Sequence, residues 1–403
     1  MAKKNKIPTV AVGMSGGVDS TVTAYLLKKQ GFRVIGLTMK LSVSRLKFLR
    51  GMKGGCFGPG QEKSIADARA AAKKIGIPHY VVELGCEFKK EVIEYFRREY
   101  LSGRTPNPCV MCNRKIKFGL MLQKAKEAGA EFDYFATGHY ARTALDKKTG
   151  RCLLKKGADG AKDQSYFLSQ LTQNQLKRVI FPLGCFHKRE IKKIAAEAGF
   201  KKYAVKRESQ DFIGGRYELL FKKNEIKPGN ITGLDGAALG RHRGIIYYTI
   251  GQRRGLNIGG TPEPVFVVKI VAAKNRVVVG PKQAVFSTSL DAKDMNWITF
   301  DKPPAEISAM AKIRQQGKEF SCRVFPLPGS RARVIFDEPQ HAVTPGQAVA
   351  FYKKDTVLGG GIIAGAGHIA GKKRGNNIPL RGTNDYRYHV RLSRQHAGHQ
   401  KSS

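Results

Sequence analysis

The sequence predicts three parts in order: an α/β N-terminal domain with a parallel sheet, a small β-rich central domain, and a C-terminal β-barrel. Three observations predict this. Residues 10–12 are an apolar run that meets two adjacent glycines, Gly16 and Gly17. The chain leaves them in a helical pattern with Val18, Val22, Tyr25 and Leu26 on one face. A second apolar run, at 33–39, follows that helix; a strand–helix–strand unit of this spacing calls for a right-handed crossover between parallel strands. Beyond about residue 207 the runs become short and β-like and glycine turns become frequent, the pattern of small β domains and barrels.

Along the chain, Gln30-Gly31 closes the first helix. Residues 41–55 are irregular and basic and read as a mobile insertion, with a turn at 56–60. Residues 64–74 form a helix ended by Gly76, 79–84 a third strand and 88–100 an amphipathic helix. The segment 103–118 holds two prolines, which force an extended approach, and two cysteines on a loop entering a helix at 118–128. Residues 131–142 read as a fourth strand running into a turn at its C-terminal edge, where α/β sheets bind ligands. A short strand at 151–154 and a basic helix at 188–199 follow. The β-like runs are 245–250, 265–268, 277–279, 311–313, 333–336 and 348–352. The expected domains are 1–207, 208–292 and 293–364. Residues 365–403, with eight Lys and Arg against Asp385, read as a disordered, polyanion-seeking tail.

At 403 residues the chain exceeds one ordinary core. No apolar run reaches the roughly 18 residues of a membrane span, and the basic stretch 1–6 leads straight into a strand without a cleavable leader, so a cytoplasmic protein with no membrane partner is expected. Seven cysteines, an odd number, argue against a disulfide framework there. The 72 Lys and Arg against 31 Asp and Glu give a net charge of +41. Such a chain repels itself unless it meets a polyanion, and nucleic acid is the default partner. A uniformly basic proteome or salt adaptation is the plainer explanation for part of the excess.

Two stretches carry chemistry. Gly13, Met14, Ser15, Gly16, Gly17, Val18, Asp19 and Ser20 form a strand–glycine loop–helix unit whose exposed amides and positive helix end suit an anion. Asp19 can hold a magnesium ion or steer a lysine, and the Walker pattern is absent. Cys109-x-x-Cys112 has several readings: a thiolate nucleophile with Arg104, Arg114, Lys115 and Lys117 nearby, ligation of an iron–sulfur cluster or zinc, or a buried pair without chemistry. Zinc is weak, because no second pair completes four ligands.

The frame Ser15-Gly16-Gly17-Val18-Asp19-Ser20 resembles the pyrophosphate loop of the N-type ATP pyrophosphatases, the PP-loop superfamily. Together with 103–118, 136–142, 162–168, 248–258 and 344–351, in that order, it resembles the tRNA-specific 2-thiouridylases of the MnmA type over roughly residues 8–364. The resemblance implies that ATP, with Mg2+, adenylates the C2 oxygen of the wobble uridine of Lys, Glu and Gln tRNAs, and that enzyme-carried sulfur displaces AMP. It places residues 13–20, Met39 and Gly138 at ATP, and Cys112 as the catalytic cysteine. Asn107, Pro108, Cys109, Lys162, Asp163 and Gln164 match segments around a flipped base, and His139, Arg314, Gln315 and Gln347 match further tRNA contacts. It implies a sulfur donor such as a cysteine desulfurase relay.

The chain departs from that family at one point. Many members carry a persulfide cysteine in a segment like the one here at 208–215, which contains Phe212 and Ile213 but no cysteine. Cys56, Cys109 and Cys112 then offer three ligands for a [4Fe–4S] cluster with one iron open to sulfide. A persulfide on Cys109 or Cys56, displaced through Cys112, is the competing route. Cys86, Cys152, Cys185 and Cys322 read as core or strand. An adenylating synthetase for a small molecule and a non-catalytic RNA-binding protein are the alternative functions.

Overall fold

The computed structural model describes residues 7–41, 58, 60–205, 212–213, 217–259 and 263–368. Residues 42–55 of the insertion expected at 41–55, Cys56, most of 208–215 and the tail beyond 368 lie outside them.

The N-terminal sheet has the order β3-β2-β1-β4-β7. Its strands are β1 Thr9–Gly13, β2 Arg33–Lys40, β3 His79–Glu83, β4 Tyr134–Ala136 and β7 Val179–Ile180, all parallel. Between β4 and β7 the chain inserts a hairpin, β5 Ala141–Leu145 and β6 Cys152–Lys156. Alternation along a strand decides the layering. Val10 and Val12 face one way, with Val22 and Leu27 of α1 (Val18–Lys29), Ala68 and Ala72 of α2 (Gln61–Ile75) and Ile191 of α3 (Lys188–Glu197). Ala11 faces the other way, with Leu37, Phe88, Val92 and Phe135. A sheet covered on both faces needs unbroken apolar strands, and Val10, Ala11 and Val12 are all fully buried.

The second layer differs from the sequence expectation. The helix expected from 118 begins at Pro108: Pro108–Met111 and Met121–Glu127 are α-helical, and Cys112–Leu120 between them is π-helical. Asn107 caps its start, its Oδ1 accepting the Val110 amide at 3.3 Å, and Pro108 fits the first turn because no amide is needed there. The cysteines therefore sit in helix, not on a loop. The preceding helical run also contains a π segment, Lys89–Ile93, between Gly85–Phe88 and Glu94–Leu101.

The central sheet has the order β10-β11-β8-β9, from β8 Gly229–Thr232, β9 Ala238–His242, β10 Phe266–Val271 and β11 Arg276–Gly280. Residues 245–250, expected as a strand, instead hold a 3-10 turn at Ile245–Tyr247, entered through Gly244 at φ 147°.

The barrel runs β12-β15-β14-β13-β16-β17-β6-β5 and closes through β12–β17. Its own strands are β12 Phe286–Trp297, β13 Ile307–Lys312, β14 Phe320–Leu327, β15 Arg331–His341, β16 Ala348–Lys353 and β17 Thr356–His368. Hairpin β5–β6 joins it by pairing Lys155 with Thr356 and Leu154 with Val357. β12 runs unbroken across the expected joint at 292/293, and β17 runs past 364, where the tail was expected to begin. Glycine content misleads there. Gly365 and Gly367, expected in the tail, lie in β17, and a Cβ on Gly367 would run into Ser289 Oγ, so that glycine allows close strand packing.

Among the described residues no helix is long and apolar enough to cross a membrane.

Four imidazoles, His79, His139, His242 and His341, are held below the usual histidine range, first by burial in every case. The unfolded chain therefore binds protons that the native state does not, so stability falls as pH drops from about 6.5 toward the native values. The thermal midpoint is expected to fall by roughly 5 °C between about pH 7.5 and 5.5. Calorimetry in low-ionisation-heat buffers measures this; a flat midpoint over that window would contradict it.

Candidate nucleotide and thiol site

β1 ends at Gly13 on the C-terminal edge of the sheet, and the loop to α1 follows. Gly16 takes φ +70°, and a Cβ there would run into the Ser64 carbonyl, so only glycine fits. Met14 is not a pocket wall. It is buried, its amide donates to Leu37 O at 2.7 Å, and its carbonyl accepts from Thr38 Oγ1 at 2.7 Å. Val18 and Ser20 are also buried, and Ser20 Oγ accepts the Ser15 amide at 3.1 Å. The side chains of Met14, Val18 and Ser20 thus shape the loop from inside, and its backbone is the part suited to phosphates.

Gly138, two residues beyond β4, approaches this loop from the next strand. A Cβ on it would lie 2.9 Å from the Asp19 carbonyl carbon and 3.0 Å from the Ser20 nitrogen. Met39 lies near the end of β2, paired with Val82 and partly buried against the core. Residues 13–20, Met39 and Gly138 therefore stand on loops and strand ends at one edge of the sheet.

Asp19 has partners that the sequence did not name. Lys188 Nζ donates to both its carboxylate oxygens at 2.7 Å, and Tyr140 OH donates to Oδ1 at 2.9 Å. The Lys188 side chain is only 9% exposed. Lys188 opens α3, where the helix dipole disfavours a cation, and that misplaced charge was the available sequence signal. Gln164, expected at tRNA, clasps Tyr140: its Oε1 accepts the Tyr140 backbone N–H at 3.0 Å and its own backbone N–H donates to Tyr140 O at 2.9 Å.

His139, between Gly138 and Tyr140, turns to the thiol helix. Its ring lies 5.8 Å from Phe118 and 6.2 Å from Phe181, and its Nδ1 shares a 2.6 Å hydrogen bond with Thr137 Oγ1. Burial, and secondarily the Lys117 charge, hold it well below the usual range, so it is a neutral imidazole at pH 7. Phe118 belongs to the π segment that begins at Cys112. Three consecutive residues thus touch the phosphate loop at one side and the cysteine helix at the other.

Neither Cys109 nor Cys112 is in a disulfide; both are partly exposed and one turn apart. Two expected cations are engaged elsewhere: Arg104 pairs with buried Glu99 at 2.7 and 3.2 Å, and Arg114 donates to Gln170 at 2.8 Å. The Arg104–Glu99 pair fixes the chain entering the helix, and losing Arg104 would leave the Glu99 carboxylate buried without its partner. Cys86 and Cys185 are exposed, not core, because both lie in short helical turns whose apolar neighbours face inward. Cys152 is partly buried in β6, and Cys322 is buried, its thiol pushed up to about 12 by burial. Phe212 packs at 5.3 Å from Phe96 and 6.0 Å from Phe88; residues 208–211, next to which a persulfide cysteine was expected, lie outside the described residues.

Of the other expected tRNA contacts, Gln347 reaches the segment before Asn107, and Gln315 reaches the 162–164 loop. Gln347 Nε2 donates to Thr105 O at 2.9 Å, and the Thr105 amide donates to Pro345 O at 2.9 Å, so the barrel grips the segment before Asn107. Tyr166 OH donates to Ala348 O at 2.8 Å. Gln315 Nε2 donates to Asp163 O at 3.1 Å, and Arg314 Nη2 donates to His341 O at 2.5 Å. The Asp163 carboxylate accepts from Gly157 N, Ser165 N and Ser165 Oγ, so it holds its own loop. Lys162 lies two residues from Gln164 on that loop, partly exposed.

Two thiols one turn apart suit two corners of an iron–sulfur cluster. Among the described residues no group of three His, Cys, Asp or Glu side chains gathers to hold a metal, and Cys56 is outside them. Asp19 suits Mg2+ bound jointly with phosphates, a mode that needs only one or two carboxylates.

A family model described as tRNA methyl transferase HUP domain matches residues 8–214. Models described as tRNA methyl transferase PRC-barrel domain and aminomethyltransferase beta-barrel domain match 218–281 and 287–363. The tRNA-specific 2-thiouridylase MnmA 2 of Thermoanaerobacter sp. (strain X514) is 50% identical over 361 residues, 88% of this chain and 97% of the relative. That of Endomicrobium trichonymphae, tRNA-specific 2-thiouridylase MnmA, is 46% identical over 358 residues, 88% of this chain and 98% of the relative. A solved 4-thiouridine synthetase–RNA complex with bound ATP aligns with a TM-score of 0.33 at 18% identity, over 51% of this chain and 44% of that one. This chain belongs to the tRNA-specific 2-thiouridylases of the MnmA type.

Proposed function

We propose that the protein carries out ATP-dependent 2-thiolation of the wobble uridine of tRNA, acting on Lys, Glu and Gln acceptors, with sulfur delivered by a cysteine desulfurase relay. The observation that carries the reading is the run Gly138–His139–Tyr140, which joins the phosphate loop to the helix of Cys109 and Cys112. A small-molecule synthetase has no need of a thiol pair at that junction, or of a net charge of +41.

The loop amides of residues 15–20 hold the phosphates; Asp19 is the residue that would hold Mg2+, which would supply charge neutralisation there. The uridine C2 oxygen attacks the α-phosphorus, forming a C–O–P bond and releasing pyrophosphate. Asn107, Pro108 and Cys109 surround the flipped base, with Lys162, Asp163, Gln164, His139, Arg314, Gln315 and Gln347 as further tRNA-contact positions. His139, neutral, contributes hydrogen bonding without adding charge.

The terminal sulfur of a Cys109 persulfide bonds to C2 and AMP leaves. The Cys112 thiolate then attacks Cys109 Sγ and breaks the Sγ–S bond. Thiouridine is freed, a Cys109–Cys112 disulfide forms, and a cellular thiol reduces it. A [4Fe–4S] cluster on Cys109, Cys112 and Cys56 would instead supply an iron-bound sulfur nucleophile at the same place. The loss of the expected cysteine beside Phe212 favours keeping this second reading.

Two outcomes test the proposal. Cys112→Ala is expected to lower thiolation of tRNA transcripts at least about 1000-fold, read by retardation on mercury-containing gels, while ATP binding stays within about 2-fold. Full thiolation by that variant would remove Cys112 from the mechanism. Second, anaerobically purified, iron-free protein is expected to thiolate tRNA when given a desulfurase and cysteine. Activity that instead tracks iron and sulfide content, and is lost with them in Cys56→Ala, would establish the cluster route.

A further inference from the structure

The start of the phosphate loop is held from two strands away. Thr38 of β2 is buried, and its hydroxyl donates to Met14 O at 2.7 Å. A hydroxyl has one proton, and this one is spent on the carbonyl. His79 Nε2 lies 2.8 Å from the same oxygen, so Nε2 carries the ring proton and donates to Thr38 Oγ1. Close packing brings the groups together. His79 on β3 pairs with Gly36, where a Cβ would lie 2.7 Å from Met14 Sδ and 3.0 Å from His79 Cδ2. The bare glycine lets the imidazole and the Met14 side chain meet over β2. The other ring nitrogen, Nδ1, is buried without a hydrogen-bond partner among the described residues. A buried lone pair left unmatched is unfavourable, so this pairing is a poor arrangement for stability alone.

Met14 O belongs to the same planar peptide as the Ser15 N–H, and the two point in opposite directions. Holding the carbonyl toward β2 therefore aims the Ser15 N–H into the loop, where Ser20 Oγ accepts it at 3.1 Å. Ser20 Oγ in turn donates to Gly17 O at 3.2 Å. Every donor in this series points the same way, from β3 through β2 into the loop, and hydrogen bonds in such a series reinforce one another. Burial, and secondarily the Arg69 charge, keep the His79 ring neutral at pH 7, so the direction is fixed. Resting on the reading of the loop as an ATP site, we infer that Thr38 and His79 are positioning residues for nucleotide binding. They stand behind the loop and set the Met14–Ser15 peptide. Through it they preorganise the amides and hydroxyls that receive the phosphates.

The test titrates the full chain and its variants with a non-hydrolysable ATP analogue and Mg2+, and separately with tRNA. Thr38→Val keeps the shape and removes the hydroxyl. It is expected to bind the analogue at least about 10-fold more weakly, with Thr38→Ser within about 3-fold of wild type. His79→Leu is expected to lose about 5-fold, and His79→Gln, whose Nε2 still donates, to recover most of that. In every variant tRNA affinity is expected to stay within about 2-fold and the melting midpoint within roughly 3 °C. A folded Thr38→Val that binds the analogue within about 2-fold of wild type would sink the inference. An equal loss of tRNA affinity would sink it too, because it marks a general disturbance of the fold. Proton–nitrogen NMR spectra of the wild type, assigned by difference with His79→Gln, are expected to show His79 as the Nε2–H tautomer; the Nδ1–H form would overturn the donor series. Wild-type protein that binds no analogue at all would overturn the nucleotide reading itself, and this inference with it.

Discussion

The site depends on one close approach: the backbone of Gly138 against the backbone of Asp19 and Ser20. With less than 3 Å between a would-be Cβ and the Asp19 carbonyl carbon, no side chain larger than hydrogen fits without moving β4 from α1. That contact sets where the chain goes next. It delivers His139 to Phe118 and Tyr140 to Asp19, and Gln164 then clasps Tyr140 through two hydrogen bonds. Loop, cysteine helix and the 162–164 segment are thereby held by short-range contacts to three consecutive residues, and a shift of any one is felt by the others.

The barrel has a second, mechanical part in this. It pairs with the N-terminal part through β5–β6, and its 344–347 loop grips Thr105 and Pro106 just ahead of the thiols. A Cβ on Gly346 would lie 2.9 Å from the Thr105 backbone, so the grip is as tight as that at Gly138. Gln347 and Gln315, expected as tRNA contacts, bond to the N-terminal part. Binding RNA across this surface would act directly on the segment that leads into Cys109.

The π-helical segment beginning at Cys112 gives the thiol pair an unusual backbone. A π turn widens the helix and is less favourable than an α turn, and such turns concentrate at functional positions. It is supported by the burial of Ile116 and Phe118 and by Asn113, whose side-chain amide donates to Phe167 O at 3.1 Å. The Glu99–Arg104 pair and the Asn107 cap hold the other end. Cys109 and Cys112 are therefore preorganised from both sides, and the cost of positioning them is met by packing before any substrate arrives.

The sequence by itself determined the parallel sheet, the phosphate loop, the change to β texture after about 207 and the thiol pair. Each rests on local periodicity or on a short motif whose chemistry is set by neighbours along the chain. It did not determine the helix start at Pro108, because a Pro-Asn-Pro run reads as extended until an Asn cap is seen in place. It put Gly365 and Gly367 of β17 in the tail, because close strand approach and irregular chain call for the same residue. It left Lys188 and Tyr140 unnamed, since they reach Asp19 from 169 and 121 residues away. Only the tertiary structure decides which distant charge meets a loop, because ion pairing depends on distance in space and carries no signature in local sequence.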